Sequence, residues 1–315
     1  MTSVSVWIVG SGPMAQEYAR VLAALDVSFR VVGRGHTSAA KFKSNTGYRV
    51  FVGGVDHAVS QLGVPEFAIV AVGVEALAKV ASKLIVAGTK QILLEKPGGL
   101  TIDEIEALNQ LANNYGANII IAYNRRYYES VSQAEEIIES DGGLISMNFE
   151  FTEWSAKIAA LKKPLEVKNN WLLGNSSHVI DLAFYFAGTP DDWSSWNAGS
   201  ISWHPISARF CGAGVTSKGV LFSYCSDWEA PGRWGIELFT RKSRLILRPL
   251  ERLQRIKHGS FSVESIDDNS DVDSDYKAGL YNQTKAFMEA DFGKACLLEN
   301  QVQNVALYSL MAGYR

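Results

Sequence analysis

The sequence has few cysteines, no long apolar run and no large excess of charge, and each absence excludes a class of protein. Three cysteines among 315 residues, without C-x-x-C spacing, make a poor disulfide framework. No His/Cys/Asp cluster has the spacing of metal ligands. A formal net charge of −3 provides no field to attract nucleic acid or an anionic membrane. No apolar run reaches the ~18 residues of a membrane span. We therefore expect no metal, no nucleic-acid partner and no membrane contact.

The bulk properties indicate a globular protein with more than one core. Hydrophobic residues make up 47% of the chain and charged residues 20%, which is ordinary globular composition. The first residues lack a basic segment followed by an apolar one, so we expect no secretory signal and a cytoplasmic location. A chain of 315 residues is long for a single core, and its length favours two domains.

Residues 4–123 alternate short apolar runs with helical patterns. Fully apolar strands that alternate with helices predict a doubly wound parallel sheet covered on both faces. Thr101 has the residue type and the acidic following turn expected of a helix N-cap. The predicted strands are Val4–Val9, Phe29–Val32, Arg49–Val52, Phe67–Val72, Gln91–Leu94 and Asn118–Ala122, and the predicted helices include Met14–Leu25, Glu75–Ala87 and Ile102–Tyr115.

Beyond residue 123 the strands are grouped and the helices are fewer. Such grouping predicts an α+β domain with a large, mainly antiparallel open sheet. We expect residues 1–123 to form one domain and residues 124–315 the other, with the last helices able to pack back on the first domain. The predicted strands are Leu144–Phe151, Ile201–Cys211, Gly219–Ser226, Gly235–Thr240 and Arg244–Leu247, and the predicted helices are Val131–Glu139, Ser177–Ala187, Tyr281–Asp291 and Glu299–Ala312.

Two charged stretches stand out in the second half. Residues 241–257 hold seven basic residues and one acid, and residues 263–276 hold six acids and no base. Charge runs usually mark solvated faces, so we interpret them as a solvated sheet edge and an exposed loop. The alternative is that some of these arginines meet a phosphate-bearing substrate or a neighbouring subunit.

A glycine motif of the form G-x-G-x-x-A follows the first strand directly and opens a helix. Gly10 permits a tight turn, Gly12 lets the backbone approach a pyrophosphate, and Ala15 lets helix and strand pack closely. This context predicts a dinucleotide-binding Rossmann domain with the pyrophosphate at the helix N-terminus. The residues expected to contact it are Gly10, Ser11, Gly12, Pro13, Met14 and Ala15.

The end of the second strand indicates which dinucleotide is bound. An NAD site usually carries an acid there to bind the ribose 2′-hydroxyl, but residues 33–38 contain none. Arg34 instead suits a 2′-phosphate, and Thr37 or Ser38 could donate hydrogen bonds to it. We therefore favour NADP(H). The alternative is that Arg34 only stacks on the adenine, in which case NAD(H) would also bind.

Three further motifs carry candidate chemistry. Glu95-Lys96-Pro97 follows a strand at the carboxyl edge, where open α/β sheets bind ligands. Residues 124–127, Asn-Arg-Arg-Tyr, follow the next strand, and His178 opens a helix three residues before an aspartate. With these motifs in this order and spacing after the glycine motif, essentially the whole chain resembles the glucose-fructose oxidoreductase / inositol dehydrogenase / MocA family.

The resemblance implies roles for individual residues. Lys96 would lie beside the nicotinamide and the reacting hydroxyl, and the Pro97 peptide, often cis in relatives, would shape that turn. His178 would be the general acid/base, and histidine is the side chain whose ordinary pKa suits that task. The other residues expected at the cofactor are Gly33, Val72, Gly73, Glu95, Pro97 and Asn124, and those expected at the substrate are Arg125, Arg126, Tyr127, Trp171, Asn175, Asp181, Trp228 and Arg233.

The sequence also departs from the family pattern at two places. Inositol-type relatives carry an Asp four residues before the histidine, where this chain has Gly174, so Asn175 or Asp181 would have to orient His178. Relatives often show Pro and His after the fourth strand. This chain reads Val-Gly-Val-Glu at residues 72–75, so contacts with the nicotinamide there would come mainly from the backbone.

These features predict an NAD(P)-dependent oxidoreductase that acts on a CH–OH group of a sugar, a polyol or a nucleotide sugar. The tryptophans of the second half suit sugar surfaces, although most are expected in half-buried sheet positions. The alternatives are a redox-neutral NAD-dependent glycosidase-type enzyme and a non-catalytic NAD(P)-sensing regulatory protein. We expect a homodimer or homotetramer formed through the open face of the second sheet, since identical patches can meet across a two-fold axis.

Overall fold

The computed structural model describes residues 5–266 and 272–314. Its strands are numbered in chain order: β1 Val6–Val9, β2 Phe29–Val32, β3 Val50–Phe51, β4 Phe67–Val70, β5 Gln91–Leu94, β6 Asn118–Ile121, β7 Ser146–Glu150, β8 Pro190–Ala198, β9 Arg209–Thr216, β10 Leu221–Asp227, β11 Gly235–Phe239, β12 Ser243–Leu247, β13 Leu253–Lys257, β14 Glu264–Ile266 and β15 Cys296–Leu297.

The α-helices follow the same numbering. They are α1 Pro13–Ala24, α2 His36–Thr46, α3 Gly54–Leu62, α4 Leu77–Ala87, α5 Ile102–Tyr115, α6 Glu129–Ser140, α7 Ser155–Ala159, α8 Leu165–Asn169, α9 Ser177–Ala187, α10 Val272–Asp275, α11 Leu280–Met288 and α12 Leu298–Ala312. Short 3₁₀ turns occur at Val74–Ala76 and Asn124–Tyr127, and a π-helical turn occurs at Leu172–Ser176. Within the described ranges, no helix combines the length and the apolar character that a membrane span requires.

The chain divides into two compact units. The first contains the residues up to Tyr123 together with Leu280–Gln303, and the second contains Asn124–Gly279 together with the residues from Asn304 onward. The first unit holds a seven-stranded sheet in the order β15-β6-β5-β4-β1-β2-β3. All neighbours in it run parallel except β15 and β6. This order confirms the predicted doubly wound Rossmann sheet.

The central strands of this sheet are largely buried, as expected of a parallel sheet with helices on its faces. In β1 all four residues are buried. The strand predicted at residues 49–52 is reduced to Val50–Phe51 at the sheet edge. The predicted N-cap is confirmed, since Thr101 Oγ1 accepts a hydrogen bond from the Glu104 amide at 3.3 Å. The Glu104 carboxylate in turn accepts one from the Leu100 amide at 2.6 Å. Two of the unpaired amides at the start of α5 are thereby satisfied.

The second unit holds an eight-stranded sheet in the order β14-β13-β12-β11-β7-β10-β9-β8. Only β7 and β10 pair in parallel, so the predicted large, mainly antiparallel sheet is confirmed. The strand predicted at Ile201–Cys211 begins only at Arg209. Edge strand β8 is absent from the predictions because its sequence, PDDWSSWNA, is largely exposed and lacks the alternation of a half-buried strand.

One face of this second sheet carries an aromatic core. The ring of Phe184 on α9 meets Phe149 and Phe222 edge to face, with ring centroids 5.5 and 5.2 Å apart. The other face has exposed positions on β8, β9 and β10. An antiparallel sheet with one packed and one exposed face explains the alternating pattern of its strands.

The two charged stretches lie at one edge of this sheet. Strand β13 comes from the basic stretch and pairs with β14 from the acidic stretch. Lys257 and Glu264 form an exposed ion pair at 2.9 Å across the two strands. The edge strand is therefore β14 of the acidic stretch, and β13 of the basic stretch lies next to it. Residues 267–271 of the acidic stretch lie outside the described residues.

Candidate cofactor and substrate residues

The turn after β1 is built on two glycines that are needed for different reasons. Gly10 has a φ of +131°, and its amide donates to the carbonyl oxygen of Val32 at 2.8 Å. A Cβ at Gly10 would lie 2.1 Å from the carbonyl oxygen of Ala71, so backbone conformation and packing both require glycine. A Cβ at Gly12, in contrast, would meet no atom within 4 Å. Gly12 therefore faces open space.

Helix α1 begins at this open space. Gly12 offers no side chain to cap the helix, and Pro13 occupies the first helical position. Ala15 is fully buried, which lets α1 pack closely on the sheet. An open approach to the N-terminal end of a 12-residue helix suits the negative charge of a pyrophosphate. The residues of this turn, with Ser11 and Met14 among them, therefore fit a dinucleotide.

The segment after β2 combines a cation with hydroxyl groups at a second helix N-terminus. Arg34, Thr37 and Ser38 are all exposed, and the two hydroxyl residues lie in the first turn of α2. Ser38 Oγ donates to a backbone carbonyl three residues earlier at 3.2 Å. A Cβ at Gly33 would lie 2.9 Å from a methyl group of Val50, so glycine allows the close approach of β3. The segment contains no acid and suits a phosphate.

Further residues that were predicted to contact the cofactor follow β4 and β5. A Cβ at Gly73, next to Val72, would fall 2.3 Å from the carboxylate of Glu75, the end of a side chain that can move aside. The Glu95 carboxylate accepts a hydrogen bond from the buried Tyr18 hydroxyl at 3.0 Å. Burial and the nearby charge of Glu95 raise the pKa of Tyr18. The Glu95 side chain thus fastens the end of β5 to α1.

Lys96 lies in a short turn that a buried glutamine holds in place. The Lys96–Pro97 peptide bond is cis. Fully buried Gln301 on α12 donates from Nε2 to the carbonyl oxygen of Pro97 and to the Tyr123 hydroxyl, both at 3.0 Å. Sequence analysis does not identify Gln301, because a glutamine among the polar residues of a terminal helix carries no local signal. It positions the turn that carries Lys96.

In the second unit, His178 is the second residue of α9 and follows the π-helical turn. Such turns occur frequently at functional sites because they re-aim the residues around them. His178 is 7% exposed, and its ring centroid lies 6.0 Å from that of Trp234. The histidine is therefore largely enclosed by protein.

A buried carboxylate that sequence analysis does not identify lies at the start of this helix. Glu153 is 3% exposed and accepts hydrogen bonds from Asn175 Nδ2 and Ser176 Oγ, both at 2.8 Å. Arg233 pairs with it at 3.2 Å. Burial raises the pKa of Glu153, and these donors oppose the shift. The chain therefore has Gly174 where relatives have an acid, but the fold brings another acid to this region from the end of β7.

Arg126 and Asp181, both expected to contact substrate, instead bind each other. The guanidinium donates from Nε to one carboxylate oxygen at 2.8 Å and from Nη2 to the other at 2.6 Å. Burial raises the pKa of Asp181, and the charge of Arg126 opposes that shift. Because both carboxylate oxygens are engaged, Asp181 anchors the 3₁₀ turn at residues 124–127 to α9. Its one-turn spacing from His178 reflects this packing.

Two guanidinium groups lie close to the Trp234 ring. The central guanidinium carbon of Arg125 is 4.9 Å from its ring centroid and that of Arg233 is 4.3 Å away. Desolvation lowers the pKa of Arg125, and the charge of Arg233 lowers it further. The Arg125 guanidinium donates to the neutral amide oxygen of Asn124 at 3.3 Å. The predicted substrate residues Arg125 and Arg233 are thus brought together beside the ring that neighbours His178.

Other predicted site residues are built into the core of the second unit. Trp228 is 1% exposed, stacks on Trp203 at 5.3 Å and donates from Nε1 to a backbone carbonyl, so it is a core residue rather than a substrate contact. Asn124 is 5% exposed, and its Nδ2 donates to the Ala278 carbonyl oxygen at 2.8 Å, so its amide is used within the unit. Trp171 and Tyr127 are each 8% exposed.

Comparisons with known proteins identify the first unit and the fold. Residues 4–123 match the family model described as "Oxidoreductase family, NAD-binding Rossmann fold". No curated protein sequence matches the chain. Many solved structures match its fold.

Three of these structures illustrate the likeness. UDP-N-acetylglucosamine 3-dehydrogenase GnnA from Acidithiobacillus ferrooxidans is 14% identical, with a TM-score of 0.75, and the match covers 100% of this chain and 98% of that one. An oxidoreductase from Agrobacterium radiobacter in complex with NAD⁺, L-tartaric acid and magnesium is 11% identical, with a TM-score of 0.79 and coverage of 99% and 96%. Levoglucosan dehydrogenase in complex with NADH and L-sorbose is 15% identical, with a TM-score of 0.80 and coverage of 100% and 97%.

The glycine turn, the strand order and the family match agree with one another. They confirm the predicted resemblance and the predicted enzyme class, an NAD(P)-dependent oxidoreductase. Residues 4–123 are therefore similar to the NAD-binding Rossmann domain of the glucose-fructose oxidoreductase / inositol dehydrogenase / MocA family.

Proposed function

We propose that this protein is an NADP(H)-linked oxidoreductase that transfers hydride between the nicotinamide and a CH–OH or keto group of a sugar, a polyol or a nucleotide sugar. The observation that carries the proposal is the glycine turn of residues 10–15, whose open space at a helix N-terminus fits a pyrophosphate. The names of two structural neighbours, UDP-N-acetylglucosamine 3-dehydrogenase and levoglucosan dehydrogenase, support a carbohydrate as the other reactant.

In this proposal the nicotinamide supplies or accepts the hydride, and side chains of the protein transfer the proton and stabilise the negative charge on the substrate. His178 Nε2 or Nδ1 takes the hydroxyl proton during oxidation and returns it during reduction. The Lys96 ammonium stabilises the negative charge that develops on the substrate oxygen. Gln301 keeps the Lys96 turn in place through the Pro97 carbonyl. Partial burial of His178 limits the access of water to the proton.

The arginine pair favours a substrate that carries an acidic group. Arg125 and Arg233 both lie close to the Trp234 ring, and Arg233 forms an ion pair with Glu153 at 3.2 Å. Desolvation of the Arg125 guanidinium makes a further anion beside it favourable. Within the proposed substrate classes, these contacts suit a nucleotide sugar or an acidic sugar better than a neutral polyol.

The direct test combines binding and turnover. Purified protein is titrated with NADPH and NADH, and then assayed with neutral sugars, acidic sugars and nucleotide sugars by following the absorbance of the reduced nicotinamide. The proposal expects NADPH binding and turnover with at least one carbohydrate. If neither NADPH nor NADH bound to the protein, the proposal would be contradicted.

Arg34 is expected to set the coenzyme preference. Because Arg34 takes the place of the usual acid, NADPH should bind more tightly than NADH, by roughly tenfold or more for one charge-assisted contact. Arg34→Ala should remove that difference and leave NADH affinity nearly unchanged. Arg30→Ala, which removes an exposed arginine four residues earlier, is the matched control. Equal affinities of the unmodified protein for both coenzymes would contradict the proposal.

Arg233→Ala should weaken the binding of acidic substrates and leave the binding of neutral ones nearly unchanged. Loss of one charged contact typically costs ~1.5–3 kcal/mol, so KM for an acidic sugar should rise by roughly ten- to a hundredfold. KM for its neutral analogue should change little. Arg233→Lys retains the charge and should lose less. Arg244→Ala, at an exposed ion pair on β12, is the control. Equal losses for the acidic and the neutral substrate would contradict an anion contact.

We also propose that copies of the chain associate through the exposed face of the second sheet. Trp196 on β8 is 63% exposed and Leu221 on β10 is 61% exposed, and the strand register places both on that face. Light scattering at micromolar protein should give the mass of a dimer or tetramer. Leu221→Asp should lower that mass, whereas Leu161→Asp, at an exposed leucine away from the sheet, should not. A monomeric mass for the unmodified protein would contradict the proposal.

A further inference from the structure

Two cysteines that are 14 positions apart in sequence lie opposite each other on the second sheet. Cys211 on β9 pairs in register with Cys225 on β10, and both are exposed. Cys296, the third cysteine, is buried in the first unit. The odd count and the absence of C-x-x-C spacing conceal this pair in the sequence, because only the strand register brings the two residues together.

The register also determines which type of pair they form. In antiparallel sheets, hydrogen-bonded and non-hydrogen-bonded pairs alternate along the strands. Two other pairs of the same register are hydrogen-bonded: the Trp228 amide donates to the Ala208 carbonyl oxygen and the Thr216 amide to the Val220 carbonyl oxygen, both at 2.9 Å. The cysteine pair lies an odd number of positions from each of them, so it is a non-hydrogen-bonded pair.

This type of pair brings the side chains close enough for a covalent bond. Opposite residues in non-hydrogen-bonded pairs have Cα atoms about 4.5 Å apart, which lies within the range of about 4.4–6.8 Å seen in disulfides. The strand register places the Cys225 side chain directly opposite that of Cys211. Partial burial raises the pKa of Cys225, and the neighbouring thiol raises it further. The two side chains therefore lie next to each other on a face that small reagents can reach in the monomer.

We propose that Cys211 and Cys225 form a cross-strand dithiol that a low-molecular-weight disulfide converts into a disulfide bond. In the first step one cysteine thiolate attacks the reagent, forms a mixed disulfide and releases one reagent thiol. In the second step the other thiolate attacks the cysteine sulfur of that mixed disulfide and releases a second reagent thiol. The two cysteines are oxidised, the reagent disulfide is reduced to two thiols, and two protons leave the cysteines for the reagent thiols.

The bond formed in this way is expected to be reversible. Exposed disulfides have higher reduction potentials than buried structural ones and belong to the labile kind. Closure would link β9 and β10 covalently on the face that also carries Trp196, which lies directly opposite Cys211 on β8. The dithiol is therefore a redox modification site on the sheet face, and it does not depend on the proposed hydride transfer.

The test treats the reduced full-length protein with glutathione buffers of increasing oxidised fraction, at nanomolar protein so that association between copies is weakest. Remaining thiols are alkylated, and peptides are analysed by mass spectrometry. We expect a Cys211–Cys225 cross-linked peptide, alkylation of Cys296 only, and a monomer-sized band on a non-reducing gel. Excess reduced glutathione should restore all three thiols.

Single variants separate the two steps. In Cys211→Ser and Cys225→Ser the reaction should stop at a glutathione adduct on the remaining cysteine of the pair. Cys296→Ser should still form the Cys211–Cys225 disulfide. Circular dichroism of each variant checks that it is folded. Two separate glutathione adducts in the unmodified protein, unreacted thiols across the whole buffer series, or a cross-link between two copies would each overturn the proposal.

Discussion

Replacement of His178 by Asn is expected to lower kcat by roughly 10²–10⁴-fold, because a positioned general acid/base typically contributes that much. NADPH affinity should stay nearly unchanged, since the proposed pyrophosphate site is the turn at residues 10–15. Steady-state kinetics on a confirmed substrate and fluorescence titration with NADPH measure the two effects separately.

Two controls distinguish a loss of proton transfer in His178→Asn from a loss of folding. His178 is 7% exposed, so the thermal unfolding midpoint of the variant must be compared with that of the unmodified protein. His258→Asn makes the same substitution at an exposed histidine of the second unit and should retain full activity. Turnover by His178→Asn close to that of the unmodified protein would refute the proton-transfer role, and Tyr127 would then be tested next.

Replacement of Lys96 by Met is expected to lower kcat by roughly 10²–10³-fold, the usual effect of removing one preorganised electrostatic stabiliser. Met preserves much of the length of the side chain and removes only the charge and the donors. Lys96→Arg retains a cation and should therefore keep more activity than Lys96→Met. Substrate KM should change less than kcat if the ammonium acts mainly on the developing oxyanion.

Lys79→Met supplies the matched control, since this lysine is exposed on α4. It should leave both kcat and coenzyme affinity unchanged. A second comparison uses Gln301→Leu, which removes the donor to the Pro97 carbonyl without touching Lys96. It should reduce kcat by less than Lys96→Met does. If Lys96→Met lost coenzyme affinity and kept kcat, the lysine would serve binding and not the chemical step.

The first unit was predictable because its signals are local. Fully apolar runs alternate with helical patterns, and the glycine motif lies directly between β1 and α1, so strand, turn and helix can be recognised together. Thr101 and Glu104 identify the start of α5 in the same way. The second sheet was less predictable at its edges, where β8 is mostly exposed and has no apolar alternation to identify it.

Residues that act through long-range contacts were not predictable. Glu153 and Gln301 are buried polar side chains whose partners come from distant parts of the chain, and no short sequence pattern predicts their roles. The burial of Trp228 could not be predicted either, since its neighbours in the chain resemble those of a loop residue. Whether a polar or aromatic side chain faces a core or a ligand depends on packing that forms only in the folded chain.

By itself, the sequence determined the Rossmann fold, the dinucleotide turn and the lack of an acid after β2, which follow from backbone geometry and residue chemistry within a few positions of one another. The candidate pair Lys96 and His178 came from the resemblance to the family. Only the tertiary structure decided that Asp181 pairs with Arg126, that Glu153 accepts a hydrogen bond from Ser176, and that Cys211 faces Cys225. The physical reason is that ion pairing, burial and strand register bring together residues tens of positions apart, and their energies exist only once both partners are in place.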